Sequence, residues 1–363
     1  MSTTVVYALA HALLDFACAF AYFANAAPNF SDWAILALIY NLCAFGLQAP
    51  LGLLADRLNY NAALAILGCL VAAVGCGFAL HPLALVILAG LGSALFYVGS
   101  GTEILNYSQN KCLPVGIFLA SGSVGWYFGT SLGCTQPTET AVWPILAILT
   151  ATALVAVCQY KKDPSFKSDN LPCQAWDFSK IACIASLLLI LATILRSYIG
   201  CGLALPWVKT SPWLVMLALF VGQSIGGFCS DRFGLMKTAS LSLLVASVLF
   251  VWSENTIVGL LAILSLAIST PIVFWTLAKI MPDKRGLSFG LLGGSMFLGF
   301  LPLDFNVTIL AQTPYGYVVG SLLMLASLYV ALRLAYDIVK PIDQSSPKDI
   351  RSDMMSDHTI IVG

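Results

Sequence analysis

The stretches GLLADR (residues 52–57) and GFCSDR (residues 227–232) carry one pattern, a glycine followed four residues later by an Asp-Arg pair. Each copy ends a long apolar run. The glycine allows two helices to approach closely. The aspartate can accept hydrogen bonds from the free amides at a neighbouring helix N-terminus, or it can pair with an arginine. The repeat therefore indicates two related halves of an apolar, helical chain.

The composition predicts a membrane protein. Of the 363 residues, 59% are hydrophobic and 9% are charged, and the mean hydropathy is +0.90. Soluble domains carry roughly 25% charged residues, so this chain lacks the charge to cover a surface that faces water. Its 17 basic and 17 acidic residues balance, and no basic cluster is present to bind nucleic acid. We expect an all-α polytopic membrane protein surrounded by the lipid bilayer.

The apolar runs predict twelve transmembrane helices, because a span needs about 20 apolar residues. The predicted spans are 4–27, 33–55, 62–80, 83–105, 113–134, 141–160, 181–205, 211–229, 237–253, 257–281, 286–303 and 316–338. The polar residues between the sixth and seventh spans divide the chain. The predicted parts are a six-helix bundle (1–160), a cytoplasmic connector (161–180), a second six-helix bundle (181–339) and a polar cytoplasmic tail (340–363).

The distribution of basic residues predicts the orientation. With a cytoplasmic N-terminus, most of the 17 Lys and Arg residues lie at the inner side, as the positive-inside rule requires. Trp33, Trp143, Trp207, Trp213 and Trp252 then fall at the outer interface, where indole rings anchor among lipid headgroups. We expect both termini to be cytoplasmic in a plasma (inner) membrane protein.

The repeated loop resembles the signature of the major facilitator superfamily, G-x-x-x-D-[RK]-x-G-x-[RK]-[RK]. The second copy keeps Gly234 and Lys237, whereas Asn59 and Asn61 replace the usual residues in the first copy. The resemblance implies twelve helices in two halves and transport by alternating access. It also assigns the loops a gating role, and we expect the first loop to be the weaker latch. The gating residues are Gly52, Asp56, Arg57, Gly227, Asp231 and Arg232.

A shorter run in the fourth span, GLGSALFY (residues 90–97), is similar to a run of fosmidomycin-resistance-like efflux proteins. Tyr97 replaces a histidine of that run. The resemblance would place the chain in an efflux branch of the superfamily. Short glycine-rich runs are also common wherever membrane helices pack closely.

Ionisable side chains inside predicted spans mark candidate functional sites, because each costs at least about 2.5 kcal/mol to insert. Asp15 and Glu103 are the candidate proton-coupling groups, and His11, one helical turn before Asp15, could share that proton. Arg196 is the candidate for binding an anionic substrate group. The structural alternatives are an Asp15–Arg196 ion pair, a Glu103 side chain that reaches the inner surface, and a histidine with a local hydrogen-bond partner.

Polar and aromatic residues elsewhere in the spans are further candidates for substrate binding. They are Tyr97, Trp126, Tyr127, Gln223, Trp275 and Asn41. The alternative for each of them is interhelical packing. The fifth span also carries glycines at positions 125, 129 and 133, a spacing that favours close helix packing.

The sequence contains no phosphate-binding loop, no nucleophile motif and no metal-ligand pattern, so we expect neither an enzyme nor a cofactor or metal. The leading hypothesis is a monomeric secondary active transporter that moves a small molecule across the membrane by alternating access, coupled to a proton gradient, with symport and antiport both open. A passive facilitator or channel remains an alternative, as does a membrane receptor or assembly factor on the same scaffold. The identity of the substrate and the direction of transport stay open.

Overall fold

The chain is helical throughout the part that the structure describes. The computed structural model describes residues 2–28, 33–77, 81–108, 110–135, 142–160, 180–304 and 313–336. Continuous apolar runs form helices here because a helix pairs its own backbone polar groups, which lipid cannot do. The predicted connector and tail lie outside the described residues, except for Lys180, which begins a helix.

The N-terminal part begins with a helix that Ser2 caps by accepting a hydrogen bond from the Val5 amide. A π-helical turn (Tyr22–Ala26) continues this first helix, and another (Leu42–Gly46) joins the second helix to the third. The helices are α1 (Thr3–Ala21), α2 (Trp33–Asn41), α3 (Gln48–Leu58), α4 (Asn61–Gly77), α5 (Pro82–Ser108), α6 (Leu113–Gly133) and α7 (Val142–Tyr160).

The C-terminal part follows residues 161–179. Its helices are α8 (Lys180–Cys201), α9 (Pro206–Thr210), α10 (Pro212–Phe233), α11 (Leu235–Phe250), α12 (Thr256–Ala267), α13 (Ser269–Ile280), α14 (Arg285–Asp304) and α15 (Pro314–Leu334). Asn255 caps α12 by accepting from the amides of Ile257 and Val258. Only Ile268 separates α12 from α13, so the two helices form one long rod.

Many of these helices are suited to a membrane. Eight helical segments in the described residues are long and apolar enough to cross a bilayer, including Thr3–Ala26, Ala34–Leu58 and Thr256–Ile280. Asn61–Gly77 and Leu235–Phe250 are shorter apolar helices. Each predicted span overlaps one of the helical segments given above. The seventh is shorter than predicted, since α8 ends at Cys201 rather than at residue 205.

Small residues set the distance between helices. α6 packs along α1, and a Cβ atom on Gly125 or Gly129 would collide with the carbonyl of Ala12 or Phe16. The glycine spacing of the fifth predicted span therefore does serve close packing. Helices α4 and α5 approach each other equally closely through glycines of their own.

Several helix pairs join the N-terminal and C-terminal parts, and two of them make the most extensive contacts. α3 packs against α14, and α6 packs against α10. Within the C-terminal part, α8 lies against α14 and α15, and α10 lies against α11 and α12. These pairings leave a space along the middle of the molecule, where α1 and α8 face each other across a cavity.

Candidate functional site

A central cavity of about 530 Å³ lies between the two parts of the chain. One wall comes from α1, α5, α6 and the helices around the second π-helical turn, and the other from α8, α10, α12, α13 and α14. The cavity reaches Ser131 near the end of α6, and Val208 and Pro212 beyond the end of α8. The predicted residues that line it are His11, Asp15, Tyr97, Trp126, Tyr127, Arg196 and Gln223.

Asp15 is the acidic residue of this lining, and both of its carboxylate oxygens have partners. The Tyr97 hydroxyl donates to Oδ1 at 2.5 Å, and Nε2 of His11 lies 3.3 Å from Oδ2. All three side chains are buried, with Asp15 6% exposed. The cluster joins residues from α1 and α5, and only the His11–Asp15 part follows from helical spacing.

The hydrogen bonds of His11 place a proton between His11 and Asp15. Nδ1 of His11 lies 2.8 Å from the carbonyl oxygen of Phe118, which only accepts, so this partner assigns a hydrogen to Nδ1. If Nε2 carried no hydrogen and Asp15 were ionised, two lone pairs would face each other at 3.3 Å. The contact is favourable only when one proton lies on either Nε2 or Oδ2. The geometry therefore fits the protonated pair.

Gly122 on α6 leaves room for this pair. A Cβ atom at that position would lie 2.7 Å from Oδ2 of Asp15 and 2.8 Å from Nε2 of His11. Contacts this short require the carboxylate or the imidazole to move. Because Gly122 has no side chain, the Asp15 carboxylate and the His11 imidazole can occupy these positions beside the cavity. Gly122 also lines the cavity.

Arg196 lies on the opposite wall, on α8. Its Nε atom is buried and has no hydrogen-bond partner among the described residues. No ion pair joins it to Asp15 in the described part of the chain, because the Asp15 carboxylate contacts His11 and Tyr97 instead. The structural alternative of a direct Asp15–Arg196 pair is not formed in this conformation.

Several polar atoms in the same cavity also lack partners within the described residues. They belong to residues that are at most 7% exposed. These atoms are Oε1 of Gln48, Oγ of Ser197, Oε1 of Gln223 and Oγ1 of Thr270. Gln48 and Thr270 were not among the site residues predicted from the sequence. A polar side chain within an apolar run was the available signal, but periodicity alone does not tell which helix face lines the cavity.

Aromatic rings form much of the remaining wall. The rings of Tyr97 and Phe45 are stacked with their centroids 5.8 Å apart. The ring centroids of Trp126 and Tyr40 are 6.4 Å apart. Tyr127 also lines the cavity. Three of the residues predicted for proton coupling or substrate binding do not line the cavity that the described residues form: Glu103, which is buried on α5, Asn41 and Trp275.

The first repeated loop contacts the start of α14. The Asp56 carboxylate accepts hydrogen bonds from the amides of Gly286 at 2.7 Å and Leu287 at 2.8 Å. Gly52 packs so closely on Gly286 that a Cβ atom there would collide with its carbonyl group. Arg57 is exposed on the surface. This aspartate thus caps a helix of the other part of the chain, where free amides and the helix dipole favour a negative charge.

The second repeated loop makes the equivalent contact with α6. The Asp231 carboxylate accepts from the amides of Cys112 at 2.6 Å and Leu113 at 3.0 Å. Gly227 faces the same turn, since its Cβ atom would lie 2.7 Å from the Leu113 Cα. Arg232 is exposed. The two copies of the pattern therefore perform the same local task on two different helices.

The departure from the loop signature at Asn59 does not prevent the first contact. Asn59 ends α3 with a φ of 53°, in the left-handed region, where asparagine is tolerated better than most residues. In the second copy Gly234 ends α10 with a φ of 91°. The expectation of a weaker first latch finds no support in the hydrogen bonds, because both aspartates accept two amides.

Two further hydrogen bonds join the parts at the same end of the molecule. Lys279 donates to Asn110 at 2.9 Å, and Arg285 donates to Asn106 at 3.0 Å. α6 runs from the Asp231 contact at Leu113 to the cavity lining at Ser131, so these contacts lie toward the end of α6 opposite to Ser131. The hydrogen bonds of Asp56, Asp231, Lys279 and Arg285 join the two parts of the chain.

Comparison with known proteins agrees with this architecture. No family model and no curated protein sequence matches the chain. Among solved structures, the outward conformation of the transporter FucP is similar, with 17% identity, a TM-score of 0.62, and 92% of this chain and 99% of that chain covered. A variant of the E. coli fucose:proton symporter FucP gives 16% identity, the same TM-score and the same coverage.

A bacterial homologue of the iron transporter ferroportin, in its outward-facing state, is also similar. The identity is 16%, the TM-score is 0.58, and the alignment covers 93% of this chain and 99% of that chain. The apolar helices and these similarities identify an integral membrane protein. Its fold is that of the major facilitator superfamily transporters, as the repeated loops suggest.

Proposed function

We propose that this protein is a secondary transporter that moves a small molecule across the membrane by alternating access, coupled to H+. The observation that carries the proposal is the central cavity, which holds a buried carboxylate on one wall and an arginine without a hydrogen-bond partner for Nε on the other. Intramembrane charges of this kind line substrate and proton pathways in transporters. FucP, whose fold this chain shares, is described as a fucose:proton symporter.

The proposed molecule has twelve membrane-spanning helices in two six-helix bundles, formed by residues 1–160 and 181–339. Residues 161–180 connect the bundles, and residues 340–363 form a tail. Both termini are cytoplasmic in a plasma (inner) membrane, and the protein acts as a monomer. The pairing of α3 with α14 and of α6 with α10 supports this division, since each pair joins the two proposed bundles.

In this proposal the Asp56 and Asp231 contacts form the cytoplasmic latch. Each carboxylate holds the N-terminus of a helix from the other bundle. The latch is made when the cavity faces outward, and it breaks when the bundles part at the inner side. The latch lies at the end of α6 opposite to the cavity lining at Ser131, and this supports assigning the conformation as outward-facing.

His11 and Asp15 together carry the proton. The pair is neutral when one proton lies at their contact, and it becomes negative when that proton leaves. Tyr97 stabilises the carboxylate in either case by donating to Oδ1. Glu103 remains a further proton-coupling candidate from the sequence, although it lies away from the cavity. The efflux resemblance of residues 90–97 stays a prediction, and the direction of transport is left to experiment.

The test uses the purified full-length protein in proteoliposomes that enclose a pH-sensitive dye. A metabolite library is applied outside, and we expect at least one compound to move protons and to show counterflow against its own labelled form. Asp15→Asn should abolish proton movement while keeping exchange of the compound, because it removes the proton carrier and leaves the cavity intact. Asp283→Asn, which changes an exposed acid outside the cavity, is the matched control.

Other outcomes identify the alternatives. A channel would give flux without counterflow, and a passive facilitator would give counterflow without proton movement. A receptor or assembly factor would give no flux with any compound, and removal of the charges at Asp15 and Arg196 would leave its activity unchanged. Proton movement that persists in Asp15→Asn would remove this residue from the coupling mechanism.

A further inference from the structure

Arg196 carries a charge that no neighbouring side chain in the described residues neutralises. Its Nε is buried beside the cavity without a hydrogen-bond partner. Asp15, the acid in the cavity lining, is already bonded to His11 and Tyr97 on the other wall. An arginine stays protonated under physiological conditions, and a buried charge without a partner is costly. The cavity is therefore an attractive site for an anion.

The buried polar atoms around the cavity supply a limited number of hydrogen bonds. Ser197 is the next residue of α8, Thr270 lies on α13, and Gln223 lies on α10. All three line the cavity, and each has a buried polar atom without a partner in the described part of the chain. Leaving such groups unpaired destabilises the protein. A compact acceptor group near Arg196 could accept hydrogen bonds from the Ser197 and Thr270 hydroxyls, whereas Oε1 of Gln223 only accepts.

Most of the remaining surface is apolar. Phe45, Phe274, Phe289 and Phe300 contribute rings, and side chains such as Leu219 contribute aliphatic surface. A sugar carries hydroxyl groups around its whole ring and would leave many of them unpaired against this wall. An organic cation would be repelled by Arg196. The cavity size, about 530 Å³, lies in the range that binds compact organic molecules.

The charges of the cavity favour a single negative charge on the ligand. With the His11–Asp15 pair protonated and neutral, Arg196 gives the empty cavity a net charge of about one positive unit. Tyr97, Tyr40 and Cys18 are the other titratable groups around Asp15, and they are neutral in their ordinary protonation states. One monoanion therefore restores neutrality, whereas a dianion would leave an uncompensated negative charge.

We propose that Arg196 binds the carboxylate of an organic monocarboxylate whose apolar, ring-sized body packs among the phenylalanine side chains of the cavity. Within the proposed function, on which this inference rests, one proton then crosses with the substrate, whatever the direction of transport, and the transported pair is electroneutral. The bidentate fork of the guanidinium matches the two carboxylate oxygens. The hydroxyls of Ser197 and Thr270, which can donate hydrogen bonds to a carboxylate, complete the polar end of the site.

The test measures binding to the full-length protein in detergent by thermal unfolding. The probes are benzoate, phenylacetate and hydrocinnamate, each compared with its own amide, together with phthalate as a dianion and phenethylamine as a cation. We expect at least one carboxylate to raise the unfolding temperature in a saturable way, while its amide binds at least about 30-fold more weakly. Phthalate and phenethylamine should bind no better than the amides.

Variants then locate the binding charge. Arg196→Gln should weaken binding of the best carboxylate by at least about 30-fold, and Arg196→Lys should restore part of it. Arg333→Gln is the matched control, because Arg333 is exposed in the last turn of α15 and does not line the cavity. If Arg196→Gln does not fold, two other measurements decide whether Arg196 binds the carboxylate. They are the affinity of the native protein for each carboxylate against its amide, and the affinity of Arg196→Lys for the best carboxylate.

Three results would overturn the inference: no carboxylate binds the native protein, an amide binds as tightly as its carboxylate, or Arg196→Gln keeps its affinity. The proposed function fails separately. Carboxylate binding that depends on Arg196, without counterflow in proteoliposomes, would reject transport and keep this site. Counterflow of a neutral or cationic compound in Arg196→Gln would reject this site and keep transport.

Discussion

Replacing Asp56 by Asn should weaken the closure of the inner end of the molecule. The carboxylate accepts two amides of α14, at 2.7 and 2.8 Å. The Asn side chain keeps one neutral acceptor and turns an N–H group toward the other amide. A hydrogen bond to a charged group contributes about 1.5–3 kcal/mol, and the interaction with the helix dipole adds about 0.3–1 kcal/mol.

We expect Asp56→Asn to reduce the stabilisation of the closed inner end by about 2 kcal/mol, because the Asn oxygen retains one hydrogen bond. This corresponds to roughly a 30-fold rise in the population with the inner end open. Asp231 is more exposed than Asp56, so solvent screens its contact. For Asp231→Asn we therefore expect a smaller loss of stabilisation of the closed inner end, about 1 kcal/mol. We therefore expect the first loop to be the stronger latch, although it departs further from the family signature.

A native cysteine reports on this opening. Cys112 is 1% exposed, and α6 carries its backbone against α10 at the second latch. Its labelling by N-ethylmaleimide, followed by peptide mass spectrometry, should be roughly 30-fold faster in Asp56→Asn, because separation of the bundles exposes it. A rise there reports global opening, since the mutated contact lies on α14 rather than beside Cys112. Asp283→Asn should leave the rate unchanged.

If Cys112 is labelled at the same rate in Asp56→Asn as in the native protein, the Asp56 contact does not hold the inner end closed. Acceleration in Asp231→Asn alone would show local exposure at the mutated contact, without opening of the whole molecule. Acceleration in both variants, with the larger effect for Asp56→Asn, is the expected pattern.

Other predictions concern the cavity and the orientation. Tyr97→Phe removes a hydroxyl that stabilises the ionised carboxylate, so half-maximal proton-coupled uptake should move to higher pH; an unchanged pH profile would contradict this. Gly122→Ala should abolish uptake by displacing the buried pair, whereas Gly77→Ala, with open space around its Cβ position, should retain uptake. Cysteine placed at Lys209 should react with an impermeant reagent outside intact cells, and cysteine placed at Lys237 should not; the reverse result would invert the orientation.

The sequence by itself determined the helical membrane architecture, because lipid leaves a continuous apolar run no alternative to the helix. It also identified both aspartates of the repeated loops and the pairing of His11 with Asp15, which helical spacing places on one face. Side-chain chemistry and span position likewise predicted three cavity residues, Arg196, Trp126 and Tyr127. The structure places all three in the cavity lining.

Only the tertiary structure decided which helices meet and what each side chain faces. The amides of Gly286 and Leu287 that bond Asp56 come from the other end of the chain, and no periodicity encodes such a partner. The same holds for the Tyr97–Asp15 hydrogen bond and for the position of Glu103 away from the cavity. The physical reason is that helix formation in lipid depends on local composition, whereas helix neighbours depend on small residues that meet across distant segments.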